Sequence, residues 1–434
     1  MKLPPTSTVS RRLLPLIFLG MYLCIARANA QTESILYDFS GGGNGETPAG
    51  GLLGDGRGNY FGVTLETQTT FGTVFELTPH GSAWTLTTIY SFRGGNDGAN
   101  PNSTLVMDGG GNLYGETSFG GNGKSLYCNG GCGTVFQLSP DGNGGWTKTT
   151  LYSFQGNQTS SFDGSYPVGG LTLDKAGNLY GTTLNGGGNC SLSNVGCGVV
   201  FELSPDNNGG WSEKLLHQFL GAKGAYPEGG VIFDSLGNLY GTTFEGGPAN
   251  QACFYGCGTV FKLAPQSGGS WMASILLTFN GSNGAYPSAG LVLNSAGNLY
   301  GTTSGGGTGG VGVVLGLEAS ASTWKAIPIY QFRLTAGNFP SAPLTIDHSG
   351  NIYGTTEAGP VGHTSCPAQG GCGVVFKLTQ LNGKWQESTV HAFAGPPDGT
   401  APFGSVTIDS QGNLFGTTGV GGTANLGAIY EITP

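Results

Sequence analysis

Beyond residue 34 the apolar positions fall in runs of four to six, rich in β-branched and aromatic side chains and broken by glycine. Nowhere do they take the i, i+3, i+4 spacing of an amphipathic helix, so the pattern predicts an all-β chain. The runs also repeat. A short Gly-Asn-aromatic segment recurs with its Asn at positions 59, 112, 178, 238, 298, 351 and 413, which makes seven units averaging 59 residues. In the fullest version, Gly169-Gly170-Leu171-Thr172-Leu173-Asp174 runs through Lys175-Ala176 into Gly177-Asn178-Leu179-Tyr180-Gly181-Thr182-Thr183. Two strands flank a tight turn here: an Asp four residues before the Asn (Asn294 in the fifth unit) accepts turn amides, and Gly and Asn tolerate positive φ. A third strand follows, such as Gly133–Leu138, then a Pro-containing loop, a Trp, and a fourth strand such as Leu151–Phe154.

Four-stranded units of this length exceed the coils of a β-helix and suit propeller blades. The two ends of the chain give an independent check. It opens on a fourth-type strand, Ile35–Phe39, and closes on a third-type strand, Gly427–Ile432. The expected fold is therefore a seven-bladed β-propeller of four-stranded antiparallel blades, 28 strands in all, whose N-terminal strand joins the last blade and closes the ring. All six tryptophans (84, 146, 211, 271, 324, 385) precede a fourth strand, and the blade divided by the termini lacks one, so they read as packing residues.

Composition sharpens this picture. Glycine supplies 84 of 434 residues and charged residues only 9%, which excludes an ordinary helical enzyme, while no G-X-Y register supports collagen. Residues 1–30 place Lys2, Arg11 and Arg12 before an apolar run ending at Ala26 and a small-residue Ala28-Asn29-Ala30 site, the pattern of a secretory signal peptide. Residues 31–434 then form a single propeller domain, secreted or extracellular, with the periplasm or cell surface also open. Without residues 1–30 the chain keeps 12 basic residues against 25 acidic ones, a formal charge of −13. Nucleic acid and anionic membrane are poor partners for it, and no second apolar stretch of spanning length follows.

The phrases Gly237-Asn238-Leu239-Tyr240-Gly241-Thr242-Thr243 and Gly256-Cys257-Gly258-Thr259-Val260-Phe261-Lys262-Leu263 resemble the GloVer-type tandem repeat of exported bacterial proteins, over nearly all of residues 34–434. That resemblance implies a bacterial secreted or surface protein. Members often carry a C-terminal anchor, and none is expected here after Pro434. The Asp-x-x-Gly-Asn-aromatic turn also resembles NHL-type propeller blades. Neither likeness supplies catalytic residues.

Eight cysteines follow residue 30, as Cys128/Cys132, Cys190/Cys197, Cys253/Cys257 and Cys366/Cys372. From the marker Asn to the third-strand core residue the separations are 16, 24, 23, 23, 17, 25 and 17, and the four long loops are the four that carry cysteines. Local disulfides fit an oxidising milieu, and no C-x-x-C spacing supports zinc. No cofactor or metal is expected, and the histidines (80, 217, 348, 363, 391) read as occupying unrelated repeat positions.

In a propeller, the loops from fourth to first strands and from second to third strands emerge on one face, around the channel mouth. Each loop before a first strand has a Pro 11 residues ahead of the marker Asn, preceded by Tyr166, Tyr226, Tyr286 and Phe339 in four successive units and by Thr47, Asn100 and Ala401 in the rest. This aromatic arc can stack sugar rings, grip a peptide, or pack between blades. Glu116, Glu228, Glu245 and Glu357 are the acid–base candidates on the same face. The leading expectation is a noncatalytic monomeric binding module for a polysaccharide or an extracellular protein. The alternatives are a carbohydrate-active hydrolase or lyase using those glutamates, and a passive structural or matrix protein.

Overall fold

A computed structural model describes residues 31–434, apart from 66, 68, 69, 124, 126, 127, 129, 159, 160, 207, 321, 322, 336, 361–365 and 367–369. The signal-peptide expectation (1–30) and His363 lie outside the described residues. The repeat becomes seven four-stranded antiparallel blades arranged as a propeller. Blade 3 is representative, with Thr172–Leu173 innermost, then Leu179–Gly186, Val199–Pro205 and Trp211–Gln218 outermost. No α-helix occurs among the described residues, only two 3-10 turns at Gly42–Asn44 and Gly95–Asp97.

The ring closes as the ends of the sequence suggest. Thr32–Asp38 runs antiparallel to Ala428–Thr433, with Glu33 opposite Ile432 and Ile35 opposite Tyr430, and so becomes the outer strand of blade 7. Both sheet edges that an open stack would leave unpaired are thereby used.

The marker turn owes its recurrence to one carboxylate. In blade 3, Asp174 Oδ1 accepts the Ala176 and Asn178 amides at 2.8 and 2.9 Å, and Oδ2 accepts the Asn178 side chain at 2.8 Å. The next strand's tyrosine joins it, as when Tyr240 Oη donates to Asp234 Oδ2 at 2.9 Å. Burial alone would push Asp234 upward, but bonds from Asn238, Tyr240 and the Leu236 amide outweigh it and hold the carboxyl below its ordinary range.

The glycine after that tyrosine is required by packing. Gly115 lies opposite Phe136, and a Cβ there would sit 2.6 Å from Phe136 Cζ; the same pairing recurs as Gly181 with Phe201 and Gly241 with Phe261. The third-strand ring therefore lies flat across a strand with no side chain. A second phenylalanine closes each outer strand, and at four seams it meets the next blade's ring edge-to-face: Phe92–Phe136, Phe154–Phe201, Phe219–Phe261 and Phe332–Phe376 all have centroids 5.1 Å apart, whereas the blade after Phe279 has Leu315 in place of the ring. At the closing seams Phe393 meets Tyr430 at 5.1 Å and Phe39 meets Phe75 at 5.7 Å. The hydrophobic core is thus a set of inter-blade clusters, and the tryptophans belong to it, as Trp211 against Tyr114 and Trp324 against Tyr240 show.

Candidate functional site

The residue before each recurrent proline sits in the left-handed region: Thr47, Asn100, Tyr166, Tyr226, Tyr286, Phe339 and Ala401 have φ between 54° and 61°. Side chains rarely adopt this conformation, and main-chain bonds on both sides hold it. The Tyr226 amide donates to the Cys197 carbonyl of the previous blade at 2.9 Å, and its carbonyl accepts the Phe244 amide of its own blade at 2.9 Å. The amides of Tyr166, Tyr286 and Ala401 reach Cys132, Cys257 and Cys372 in the same way. The second cysteine of each close pair therefore anchors the next blade's rim. Disulfides join Cys128–Cys132, Cys190–Cys197, Cys253–Cys257 and Cys366–Cys372.

The aromatic side chains on these clamps are divided between packing and solvent. Tyr166 meets Phe119 edge-on at 5.4 Å, Tyr286 meets Phe244 at 5.0 Å, and Tyr226 leans on its inter-blade cluster. Phe339 is 42% exposed. All four occupy the loops around the channel mouth.

Immediately after the prolines comes a ring of which the sequence analysis singled out Glu228 alone, although the position beside a recurrent Pro was an available signal for the rest. Asn102, Glu228, Ser288 and Ser341, with Ala49, Val168 and Phe403 completing the circle, line a channel cavity of about 640 Å³. Asn102 Oδ1, Ser103 Oγ and Ser288 Oγ are buried there with no hydrogen-bond partner among the described residues. Unpaired buried polar atoms are costly, and three of them belong to residues that line this one cavity.

The four glutamates differ in placement. Glu228 faces the cavity, and burial together with the nearby Glu245 charge pushes its carboxyl up to about 7. Glu245, half-buried in the loop leaving the second strand of blade 4, is raised by burial. Glu357 lies beside the clamp of blade 6, where its amide donates to the Phe339 carbonyl at 3.2 Å. Glu116 is 1% exposed, between blades 2 and 3. Its Oε2 accepts the Gly170 amide at 2.9 Å, and burial pushes it up to about 8 against that bond. Among the four, the charges of Glu228 and Glu245 are brought within reach of each other.

The histidines need a correction. His217 and His391 share one repeat position, opposite Val200 and Val375 and two residues before the buried Phe219 and Phe393. Tyr90, Tyr152 and Tyr330 fill it elsewhere.

A model for the Gloeobacter/Verrucomicrobia repeat matches residues 22–255 and 249–434. No curated protein matches the sequence. Among solved structures, a protein from Lactobacillus plantarum is similar at 15% identity and a TM-score of 0.50, covering 78% of this chain and 84% of that one. A protein of unknown function from Dyadobacter fermentans gives 11% identity and a TM-score of 0.46, with 93% and 100% covered. A putative oxidoreductase (glucose dehydrogenase) from Thermus thermophilus gives 15% and 0.43, with 76% and 95% covered. At these identities the likeness concerns the fold.

Proposed function

We propose that this chain, which belongs to the Gloeobacter/Verrucomicrobia repeat family, is an exported, noncatalytic binding module that takes a polysaccharide at its channel mouth. The observation that carries this reading is the cavity of about 640 Å³ lined by Asn102, Ser103, Glu228, Ser288 and Ser341, three of which hold a buried side-chain oxygen with no partner among the described residues. Sugar hydroxyls both donate and accept, and so suit a lining of amide, hydroxyl and carboxyl side chains. The half-buried aromatics on the rim offer the apolar faces on which pyranose rings stack. Export is supported by four disulfides, which persist in oxidising compartments. No helix among the described residues is long and apolar enough to cross a membrane.

Titration calorimetry against a panel of polysaccharides and their oligosaccharides tests the reading. Binding without product release is expected, weakened at least about tenfold, or ~1.4 kcal/mol, in Tyr166→Ala/Tyr226→Ala/Tyr286→Ala and in Asn102→Ala/Ser288→Ala. Binding untouched by both variants overturns it, and a blank panel favours a structural matrix role. The raised Glu228 beside Glu245 favours one second reading, glycoside cleavage with Glu228 as proton donor. Product release abolished by Glu228→Gln selects that reading.

A further inference from the structure

Every blade seam carries the same three positions near the outer rim. One is the outer-strand residue two before the buried Phe, a Tyr or His in every blade but the fourth, where Leu277 stands; a second is a residue of the loop that follows it, and the third is the next blade's outer-strand residue opposite a buried Leu or Ile. Between blades 1 and 2 these are Tyr90, Asp97 and Lys148, and the set is complete. Tyr90 Oη donates to Asp97 Oδ1 at 2.7 Å, Lys148 Nζ sits 3.0 Å from the same oxygen, and the Arg93 amide donates to Oδ2 at 2.9 Å. The lysine neutralises the carboxylate it meets.

Between blades 6 and 7 the same positions hold His391, Asp398 and Glu33. The equivalence is set by register, since Glu33 lies opposite Ile432 as Lys148 lies opposite Leu138. The Ala394 amide donates to Asp398 Oδ2 at 2.8 Å, as Arg93 does to Asp97. Here the ammonium is replaced by a second carboxylate and the phenol by an imidazole. His391 Nε2 is 3.4 Å from Asp398 Oδ2, and ligand atoms of all three side chains lie within 4.8 Å of one another. Glu33 Oε1, Asp398 Oδ1 and His391 Nε2 are each buried without a hydrogen-bond partner among the described residues. No Lys or Arg among those residues pairs with either carboxylate. Tyr430, wholly buried and standing where other blades have Phe or Leu, also has a hydroxyl with no partner among the described residues, and Glu33 is the charge that reaches it.

We propose that this seam is a divalent-cation site, in which Glu33, His391 and Asp398 ligate a first-row transition ion that stands where Lys148 stands between blades 1 and 2. One imidazole nitrogen and two carboxylate oxygens suit Zn²⁺ or Mn²⁺, with water completing the shell. The seam between blades 2 and 3 shows what the imidazole adds. There Tyr152, Asp163 and Glu213 also pair two carboxylates, but Tyr152 donates its proton to Asp163 Oδ2 at 3.0 Å and offers no lone pair of the imidazole kind. Because Glu33 belongs to the strand that closes the ring, the ion ties the N-terminal strand to blade 6.

The test is calorimetry and thermal unfolding of the untagged full chain, stripped with chelator, against Zn²⁺, Mn²⁺, Mg²⁺ and Ca²⁺. One-to-one binding of Zn²⁺ with a Tm rise of several degrees is expected, reversed by chelator, with little response to Mg²⁺ or Ca²⁺. His391→Tyr, which installs the side chain of other seams, is expected to fold and lose the response. Glu33→Lys, which puts an ammonium where Lys148 stands between blades 1 and 2, is expected to raise Tm without metal and abolish the Zn²⁺ shift. No Zn²⁺ binding by the native chain overturns the proposal, as does a Zn²⁺ shift that survives both variants. A Ca²⁺ response equal to that of Zn²⁺ overturns the assignment of the ion class.

Discussion

Glu116 Oε2 accepts the main-chain amide of Gly170 at 2.9 Å across the seam between blades 2 and 3. At the same position in later blades a threonine does the opposite and donates to the next blade's main chain. Thr182 bonds the Gly229 carbonyl at 3.1 Å, Thr242 that of Ala289 at 2.9 Å, and Thr417 that of Gly50 at 3.1 Å. One seam is thus tied by a carboxyl whose other oxygen has no partner among the described residues.

This exchange gives the protein a pH dependence of definite sign. Burial raises Glu116 to about 8, above an unfolded value of ~4.3, so its contribution is complete below the unfolded value and is lost as pH rises through the folded one. Glu213 and Glu228, each pushed up to about 7 by burial, act in the same direction. Native Tm is expected to fall between pH 5 and pH 9, and Glu116→Gln to flatten the upper part of that decline. Glu116→Thr restores the hydroxyl of the later blades and is expected to be more stable than native at pH 8.5 by roughly 1–3 kcal/mol. Urea melts at three pH values check both; equal slopes for native and Glu116→Gln refute the assignment.

The marker turns lean the other way. Asp234 is held below its ordinary range, so its contribution is present at neutral pH and lost as pH falls through the folded value. Asp234→Ala strips the Leu236 and Asn238 amides of their acceptor and is expected to cost about 2–3 kcal/mol at pH 7. Asp234→Asn is expected to cost less than half as much. The fifth blade already uses asparagine, with Asn294 Oδ1 accepting the Ala296 and Asn298 amides at 3.0 and 2.9 Å while its Nδ2 donates to Tyr300 Oη at 3.2 Å. Equal losses from the two variants contradict this account.

Ring closure makes Phe39 unlike its counterparts. Phe219→Ala and Phe39→Ala each remove a fully buried ring from a seam, for about 3–5 kcal/mol. Phe39 also fastens the strand Thr32–Asp38, which no peptide bond links to the rest of blade 7. Hydrogen exchange is expected to show the Ile35 and Tyr430 amides losing protection in Phe39→Ala and keeping it in Phe219→Ala. Equal protection in both means the closing strand holds without its phenylalanine.

Much of this was legible beforehand because each repeat restates one physical demand. The Asp-to-Asn spacing describes a turn whose carboxylate reaches two amides, and the ends of the sequence describe half a blade each. The cysteine pairs sit within their own loops, so local spacing suffices. What escaped were relationships across seams. Glu116 is visible as a departure from threonine, but the alternation of a strand does not say which neighbouring blade its side chain enters. His217 and His391 each stand two residues before a buried phenylalanine and opposite Val200 and Val375, an alignment that counting from the marker Asn does not show. Counting back from the buried phenylalanines aligns them with Tyr90. Glu33 stands at the opposite end of the sequence from its seam partners, and only ring closure unites them.

The left-handed residues around the channel mouth are all gripped through their peptide groups. Thr47, Asn100 and Ala401 sit in the same clamp as Tyr226, bonded through the same amide. The main-chain clamp therefore accepts threonine, asparagine, alanine, tyrosine and phenylalanine alike, so the chemistry offered at the rim can differ from blade to blade while the clamp itself stays the same.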